Sequence, residues 1–97
     1  MSLENSGPFL TDPNSQEHRL PGQTATIGRA VECDIVIASK SISRENTRIR
    51  RDGRHWFVED LGSTNGTYLD RQKVTHPTPV PVGVPIRIGK TVLELRR

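Results

Sequence analysis

Short stretches of alternating apolar and polar residues, separated by turn signals every few positions, run along the chain from Gln16 onward. This alternation, together with many β-branched residues, is typical of β-strands. The intervals between Gly, Pro, Asn-Gly and Asp-Gly signals leave no room for a helix of three turns. We therefore predict strands in the segments TATIGR, DIVIA, TRIRR, HWFVED, TYLD, PIRIG and TVLELRR.

The clearest local signal is a hairpin in the segment NTRIRRDGRHWFVEDL. Asp52-Gly53 accepts positive φ at both central positions of a type I′ turn, so two antiparallel strands should flank it. A second hairpin is predicted between IRI and TVLEL through Gly89-Lys90. Because side chains alternate between the faces of a strand, Thr47, Ile49 and Arg51 should share one face and Arg48 and Arg50 the other, while Trp56 and Val58 lie opposite Phe57 and Glu59.

Many short strands, no helix and no internal repeat predict an all-β domain, a sandwich or a barrel. The 97 residues suffice for one domain, whose core should consist of Val, Ile and Leu around Trp56 and Phe57. Residues 1–15 lack a periodic pattern and are predicted to be a flexible N-terminal segment, with a start typical of a cloning remnant. The folded domain is predicted to span residues 16–97.

Composition narrows the class of protein only slightly. The net charge of +3 and pI near 9.6 favour anionic partners without selecting one kind. A single cysteine, Cys33, excludes an internal disulfide and favours a reducing, cytoplasmic setting. No apolar run approaches the ~18 residues of a membrane span, so no membrane partner is expected.

Three polar stretches between predicted strands carry the candidate chemistry: Gly28-Arg29, Ser41 to Asn46, and GSTNGT at 62–67. Together they offer guanidinium, hydroxyl, carboxamide and backbone N–H groups, which suit a phosphate dianion. Each stretch alone also fits an ordinary surface charge, polar loop or hairpin turn. If the three loops gathered at one end of a sandwich, they would form a shallow anion site.

In this order, Gly28-Arg29, Ser43-Arg44, VEDLGSTNGTYLD and IRIGKTVLEL resemble the forkhead-associated (FHA) domain family. The resemblance covers residues 18–95, nearly the whole chain. It implies a β-sandwich of about eleven short, mostly antiparallel strands with the binding loops at one end. It also implies a function, which is binding of phosphothreonine peptides in Ser/Thr kinase signalling, with a kinase substrate as the partner.

The resemblance also implies residue roles. Arg29, Ser43 and Arg44 would bind the phosphate, Thr64 would shape the slot for the threonine methyl, and Asn65 would hydrogen-bond the peptide backbone. Lys40, Arg71 and Lys73 would favour an acidic or polar peptide. Structural support of the site is expected from Gly28, Asn46, Gly62 and Gly66.

One departure from the family pattern keeps an alternative open. Asn46 occupies the position where the family usually has a histidine that supports the serine loop. An asparagine amide also offers a donor and an acceptor, but with shorter reach. A phosphate-independent docking domain is therefore the alternative hypothesis.

Two further classes are less well supported. A nucleic-acid-binding domain would explain the arginines of the first hairpin, yet aromatic residues for base stacking are scarce. An enzyme would need a constellation that is missing, since His18, His55 and His76 show no metal-ligand spacing. We expect no catalytic residue, cofactor or metal.

Overall fold

The computed structural model describes residues 7–97, which form eleven strands and no helix. Two sheets contain them, in the spatial orders 2-1-11-10-7-8 and 4-3-5-6-9, and every pairing of the described strands is antiparallel except that between strands 3 and 4. This all-β sandwich confirms the predicted fold class. The strands are β1 (Phe9–Thr11), β2 (Glu17–Arg19), β3 (Thr24–Gly28), β4 (Ile35–Val36), β5 (Thr47–Asp52), β6 (His55–Asp60), β7 (Thr67–Leu69), β8 (Gln72–Lys73), β9 (Thr78–Pro79), β10 (Pro85–Ile88) and β11 (Thr91–Arg96).

Alternating side chains of the two sheets meet in a core made mainly of aliphatic residues. Burying each Leu, Ile or Val contributes about 1.5–3 kcal/mol, so this layer stabilises a chain with few aromatics. Trp56 packs in the same layer and is only 6% exposed. The fully buried aliphatic residues are Leu10, Ile27, Ile42, Ile49, Val58, Ile86, Ile88, Leu93 and Leu95.

The hairpin of β5 and β6 is present, but its turn lies one residue later than predicted. Asp52 still pairs with His55, so the two turn residues are Gly53 and Arg54. Gly53 has φ of 64° whereas Arg54 is not among the residues with positive φ, which is the type II′ pattern with glycine at the first central position. The predicted type I′ turn at Asp52-Gly53 is therefore wrong, while the alternation of faces along both strands is as predicted.

Two other expectations require correction. Phe57 is not part of the core: it lies half-buried on the outer face of β6, beneath the guanidinium of Arg50 at 5.7 Å from the ring centroid. Folded structure also begins before residue 16, because β1 pairs with β11 and places Leu10 in the core. A strand of three residues carries too little alternation to be detected in a polar context. Residues 1–6 of the predicted flexible segment lie outside the described residues.

Strand register brings the three polar loops to one end of the sandwich. Ile27, near the end of β3, pairs with Thr47 at the start of β5, and Thr47 also pairs with Asp60 at the end of β6. The loop after β3, the loop before β5 and the loop after β6 therefore lie side by side at one end of the five-stranded sheet. The Gly53-Arg54 turn closes the opposite end of the β5–β6 hairpin.

Candidate functional site

A shallow groove of about 270 Å³ lies among these loops and is called the apical groove below. All five residues predicted to contact a ligand line it, together with Lys40, Ser41 and Ile42. Arg71 and Lys73, which were expected at its fringe, are not among the lining residues. The predicted contact residues in the groove are Arg29, Ser43, Arg44, Thr64 and Asn65.

Main-chain hydrogen bonds fasten the loop after β3 to the loop before β5. The amide of Arg29 donates to the Ser43 carbonyl at 3.0 Å, and the amide of Ala30 donates to the Arg44 carbonyl at 3.1 Å. The Arg29 side chain adds a bond from Nε to the Ile42 carbonyl at 3.1 Å. Because this bond holds Nε in place, it limits the positions that the terminal nitrogens of this exposed guanidinium can take.

Gly28 allows the two loops to approach this closely. A Cβ atom at Gly28 would overlap the carbonyl oxygen of Arg44 and lie 3.0 Å from the Cys33 sulfur. The Cys33 thiol donates to the same carbonyl at 3.1 Å, and burial raises the pKa of this thiol. Gly28 and Cys33 thus fix the backbone beneath Arg44.

Asn46 lies completely buried under the serine loop and uses its whole amide. Its Oδ1 accepts from the Ser43 amide at 3.0 Å, while its Nδ2 donates to the hydroxyls of Thr47 at 3.0 Å and Thr67 at 3.2 Å. Its own backbone amide and carbonyl bond to Ile27 and Leu61. Asn46 therefore connects the loop before β5 to β3, to β7 and to the loop after β6.

The hydroxyl of Ser43 is left with a proton to donate. Its Oγ accepts the Thr64 amide at 3.0 Å, and within residues 7–97 its own O–H donates to no acceptor. A serine hydroxyl has one donor and two acceptor positions. A ligand oxygen in the apical groove can therefore accept the free proton.

Asp60 organises the loop between β6 and β7. Its Oδ2 accepts from the amides of Gly62 and Ser63, both at 3.0 Å, and its Oδ1 accepts from the hydroxyls of Ser63 at 2.6 Å and Thr67 at 2.7 Å. Partial burial alone would raise the pKa of Asp60, but these hydrogen bonds stabilise the carboxylate and lower its pKa overall. Since Thr67 donates its proton to Asp60, the hydroxyl of Thr47 must donate to Thr67 across their 2.7 Å contact.

Asn65 closes the groove from the other side. Its Nδ2 donates to the Ser41 carbonyl at 2.9 Å, which leaves one N–H and the Oδ1 atom available on an exposed side chain. Ser41 is itself held, since its Oγ accepts the Lys90 amide at 3.1 Å. A Cβ at Gly89 would lie 2.6 Å from the Ser41 carbonyl oxygen, so the β10–β11 turn fits tightly against this loop.

The electrostatics of the groove are positive and open to solvent. The side chain of Arg44 is 65% exposed and has only a loose contact with Glu32, at 3.7 Å. An exposed pair of this length contributes little and is readily replaced by a stronger anion. Glu45, beside Arg44 in sequence, is exposed and does not line the groove.

Part of this hydrogen-bonded framework was not predicted from the sequence. Asp60, Thr47 and Thr67 were not predicted as supports, although an aspartate just before Gly62-Ser63 is a signal for a side chain that accepts nearby loop amides. The two threonines gave no signal, because their burial follows from packing between sheets. In the described range, no buried side-chain N or O atom lacks a hydrogen bond.

The described residues form neither a metal site nor a membrane-spanning helix. Within residues 7–97, no group of three His, Cys, Asp or Glu side chains could hold a metal ion. None of the described segments is a helix long and apolar enough to cross a membrane.

The chain is a two-sheet sandwich with a polar groove, of a size that suits an anion, on the loops at one end. This fold and groove place it in a class of β-sandwich interaction domains. Sequence comparison specifies the family, since the FHA domain model matches residues 25–89. The chain belongs to the FHA domain family. This confirms the resemblance found in the sequence.

Known proteins similar to this chain include both sequences and solved structures. FHA domain-containing protein FhaB of Mycolicibacterium smegmatis is 53% identical over 77 residues, which cover 79% of this chain and 50% of that protein. The FHA domain of CT664 protein from Chlamydia trachomatis superposes with a TM-score of 0.87 at 28% identity, covering 93% of this chain and 96% of that one. A structure from a study of phosphothreonine-dependent FHA domain interactions gives a TM-score of 0.86 at 26% identity, covering 93% and 95%. The chain spans about half the length of the FhaB proteins that it matches.

Proposed function

We propose that this domain binds phosphothreonine-containing peptides in Ser/Thr kinase signalling. Arg29, Ser43 and Arg44 would bind the phosphate, and Asn65 would bind the peptide backbone. The observation that carries the proposal is that these side chains, from separate loops, line one groove. Family membership supports the same ligand class, because a similar FHA structure comes from a study of phosphothreonine-dependent interactions.

The chemistry of the groove matches a phosphate dianion. A phosphothreonine carries a charge of about −1.5 to −2 near neutral pH and three acceptor oxygens. Two guanidinium groups can balance this charge with forked N–H donors, and the free Ser43 proton can fill a further lone pair. Because Arg29 and Arg44 are exposed, neither is a buried unpaired charge that would destabilise the domain.

Contacts to parts of the peptide other than the phosphate would contribute less to binding affinity. Thr64 would pack near the threonine methyl, whose burial contributes about 0.8 kcal/mol and favours threonine over serine. The free N–H and Oδ1 of Asn65 suit the alternating donors and acceptors of a peptide backbone. Lys40 lines the groove and would favour an acidic residue in the ligand.

The wider setting follows from this ligand. The partner would be a protein phosphorylated by a Ser/Thr kinase, in the cytoplasm, and the domain would serve as an interaction module without catalysis. Nucleic acid is a less suitable partner, because Arg48 and Arg50 both face the carboxylate of Glu59, at 2.8 and 3.9 Å.

Calorimetry with matched peptides tests the proposal. One threonine peptide is titrated in phosphorylated and unphosphorylated forms, and we expect measurable affinity only for the phosphorylated form. A serine-phosphorylated version provides the control for the methyl group. Equal affinity for both threonine peptides would instead support the phosphate-independent docking domain.

A further inference from the structure

A second concave surface lies at the end of the sandwich opposite the apical groove. Two adjoining depressions, of about 390 and 290 Å³, share Arg54, Trp56 and Arg97 in their walls. Arg51 and Pro8 complete the first depression. We refer to both depressions together as the basal cleft.

Strand register places the basal cleft far from the apical groove. The apical loops leave β5 and β6 at the Thr47–Asp60 pair, whereas Arg51 and Arg54 lie at the Asp52–His55 end of the same hairpin. The hairpin is six residues long, and a strand rises about 3.3 Å per residue, so roughly 17 Å separates its two ends. The basal cleft and the apical groove are therefore separate surfaces, lined by different residues.

The arginines of the basal cleft differ from most others in the chain. In the part of the chain that the structure describes, Arg51, Arg54 and Arg97 have no Asp or Glu carboxylate within salt-bridge distance. Asp52 lies next to Arg51, but its side chain alternates to the other face of β5. The arginines that do pair with carboxylates are Arg19, Arg44, Arg48, Arg50 and Arg96.

The opposite wall of the basal cleft is apolar. Trp56, Val80 and Leu95 are nearly buried and form its floor, while Val82 is 47% exposed at its edge. Pro79 and Pro81 stiffen this wall and offer no backbone N–H to water. A cationic wall facing an apolar wall fits a segment that carries both acidic and aliphatic side chains.

We infer that the basal cleft binds an extended acidic peptide segment with aliphatic residues, supplied by a partner protein. Charge complementarity selects an acidic ligand, and depressions of a few hundred cubic ångströms suit several side chains of a linear segment. Nucleic acid fits less well, because Trp56 is 6% exposed and cannot stack on a base. A partner that is both phosphorylated and acidic could occupy the two ends together, which would raise its overall affinity.

Trp56 is the only tryptophan in the chain, so its fluorescence reports on the basal cleft directly. The probe is an unphosphorylated peptide of about ten residues, long enough to span both depressions, with leucines separated by pairs of glutamates. Titration into the 97-residue chain should produce a saturable change in Trp56 emission. Replacing the leucines of the probe by glycine should weaken binding by about tenfold.

Charge-reversal variants locate the binding surface. Arg51→Glu/Arg54→Glu should weaken binding of the probe by at least about tenfold, because two attractive contacts become repulsive. The matched control, Arg71→Glu/Arg87→Glu, has the same net charge on other surfaces and should change affinity by less than about twofold. Arg29→Ala should bind the probe as the unaltered chain does, so this test is independent of the phosphothreonine proposal.

Three results would overturn the inference. The first is an equal loss of affinity in the two double variants, which would indicate attraction to net charge alone. The second is binding of a fluorescently labelled probe with no change in Trp56 emission. The third is tighter binding of a single-stranded oligonucleotide than of the acidic probe.

Discussion

Two asparagines in the loops of the apical groove have opposite environments in this domain. Asn46 is fully buried and every polar atom of its side chain is bonded within the chain. Asn65 is exposed on the groove rim and uses one N–H for the Ser41 carbonyl. The first supports the loop that carries Ser43, and the second is free to contact a ligand.

Substituting each asparagine by alanine should have different effects, one mainly on folding stability and the other mainly on peptide binding. Asn46→Ala should lower the free energy of unfolding by about 2–4 kcal/mol, because it leaves the Ser43 amide and two buried hydroxyls short of partners. Asn65→Ala should change stability by less than about 0.5 kcal/mol but weaken phosphopeptide binding by about tenfold. Urea denaturation and calorimetry on both variants provide the check. Equal stability loss in the two variants would contradict the assigned environments.

Arg29 is expected to be the strongest single contributor to phosphate binding. Arg29→Ala should weaken phosphothreonine-peptide binding by about 30-fold or more, since truncating one partner of a close charge pair costs about 2–5 kcal/mol. Arg29→Lys should recover only part of this loss, because an ammonium cannot form the two-pronged contact. Titration calorimetry measures the effect, with Arg87→Ala as the control. An unchanged affinity for Arg29→Ala would remove this residue from the site.

At the level of elements, the β6–β7 loop depends on one carboxylate. Asp60 accepts two amides and two hydroxyls, and these hold the turn from Gly62 to Gly66 ahead of β7. Ser63 extends the arrangement by accepting the Gly66 amide at 2.9 Å. The conformation of the loop that presents Thr64 and Asn65 is therefore stabilised by the ionised carboxylate of Asp60.

This dependence makes part of the stability sensitive to acid. Because the folded state lowers the pKa of Asp60, its contribution is complete above the unfolded pKa, near 4, and is lost as pH falls through the lower folded value. Urea midpoints measured from pH 6 down to pH 2 should thus fall below about pH 4. Asp60→Asn should be less stable at neutral pH and show a shallower fall. A variant with the full acid sensitivity of the unaltered chain would contradict the role of this carboxylate, and Asp70→Asn is the control.

The longer strands and the short strands β4 and β7 could be predicted from the sequence, whereas β1, β2, β8 and β9 could not. Alternation and β-branched residues locate β3, β5, β6, β10 and β11, but strands of two or three residues such as β8 and β9 lack a full period of the pattern. The loops of the apical groove were located by residue type and order. Their meeting at one end follows from pairing register, which comes from contacts between residues distant in sequence. The burial of the Asn46 amide could not be predicted from the sequence either, because it depends on how β3, β6 and β7 pack around this side chain.

At the scale of the whole molecule, the sandwich carries a charged surface at each end of the β5–β6 hairpin. The apical groove presents guanidinium and hydroxyl groups, and the basal cleft presents guanidinium groups beside an apolar wall. The core between them is continuous and aliphatic. Ligand binding at either end should therefore stabilise the domain as one cooperative unit.

Thermal unfolding gives a prediction at this scale. A phosphothreonine peptide at 100 times its dissociation constant should stabilise the native state by about 2.7 kcal/mol, which raises the Tm of a domain of this size by on the order of 10 °C. Differential scanning calorimetry measures the shift. The unphosphorylated peptide at the same concentration should leave the Tm unchanged, and a comparable shift with both peptides would argue against dependence on phosphate.

The bond from Asn65 to the Ser41 carbonyl joins two rim loops of the apical groove within the free chain, and the Ser43–Thr64 bond joins them again. An arriving peptide therefore meets walls that are already assembled, and little conformational entropy of the protein is lost on contact. The association rate should then be set by how often the peptide and the groove meet in the right orientation. Differences in affinity among ligands should appear mainly in the dissociation rate.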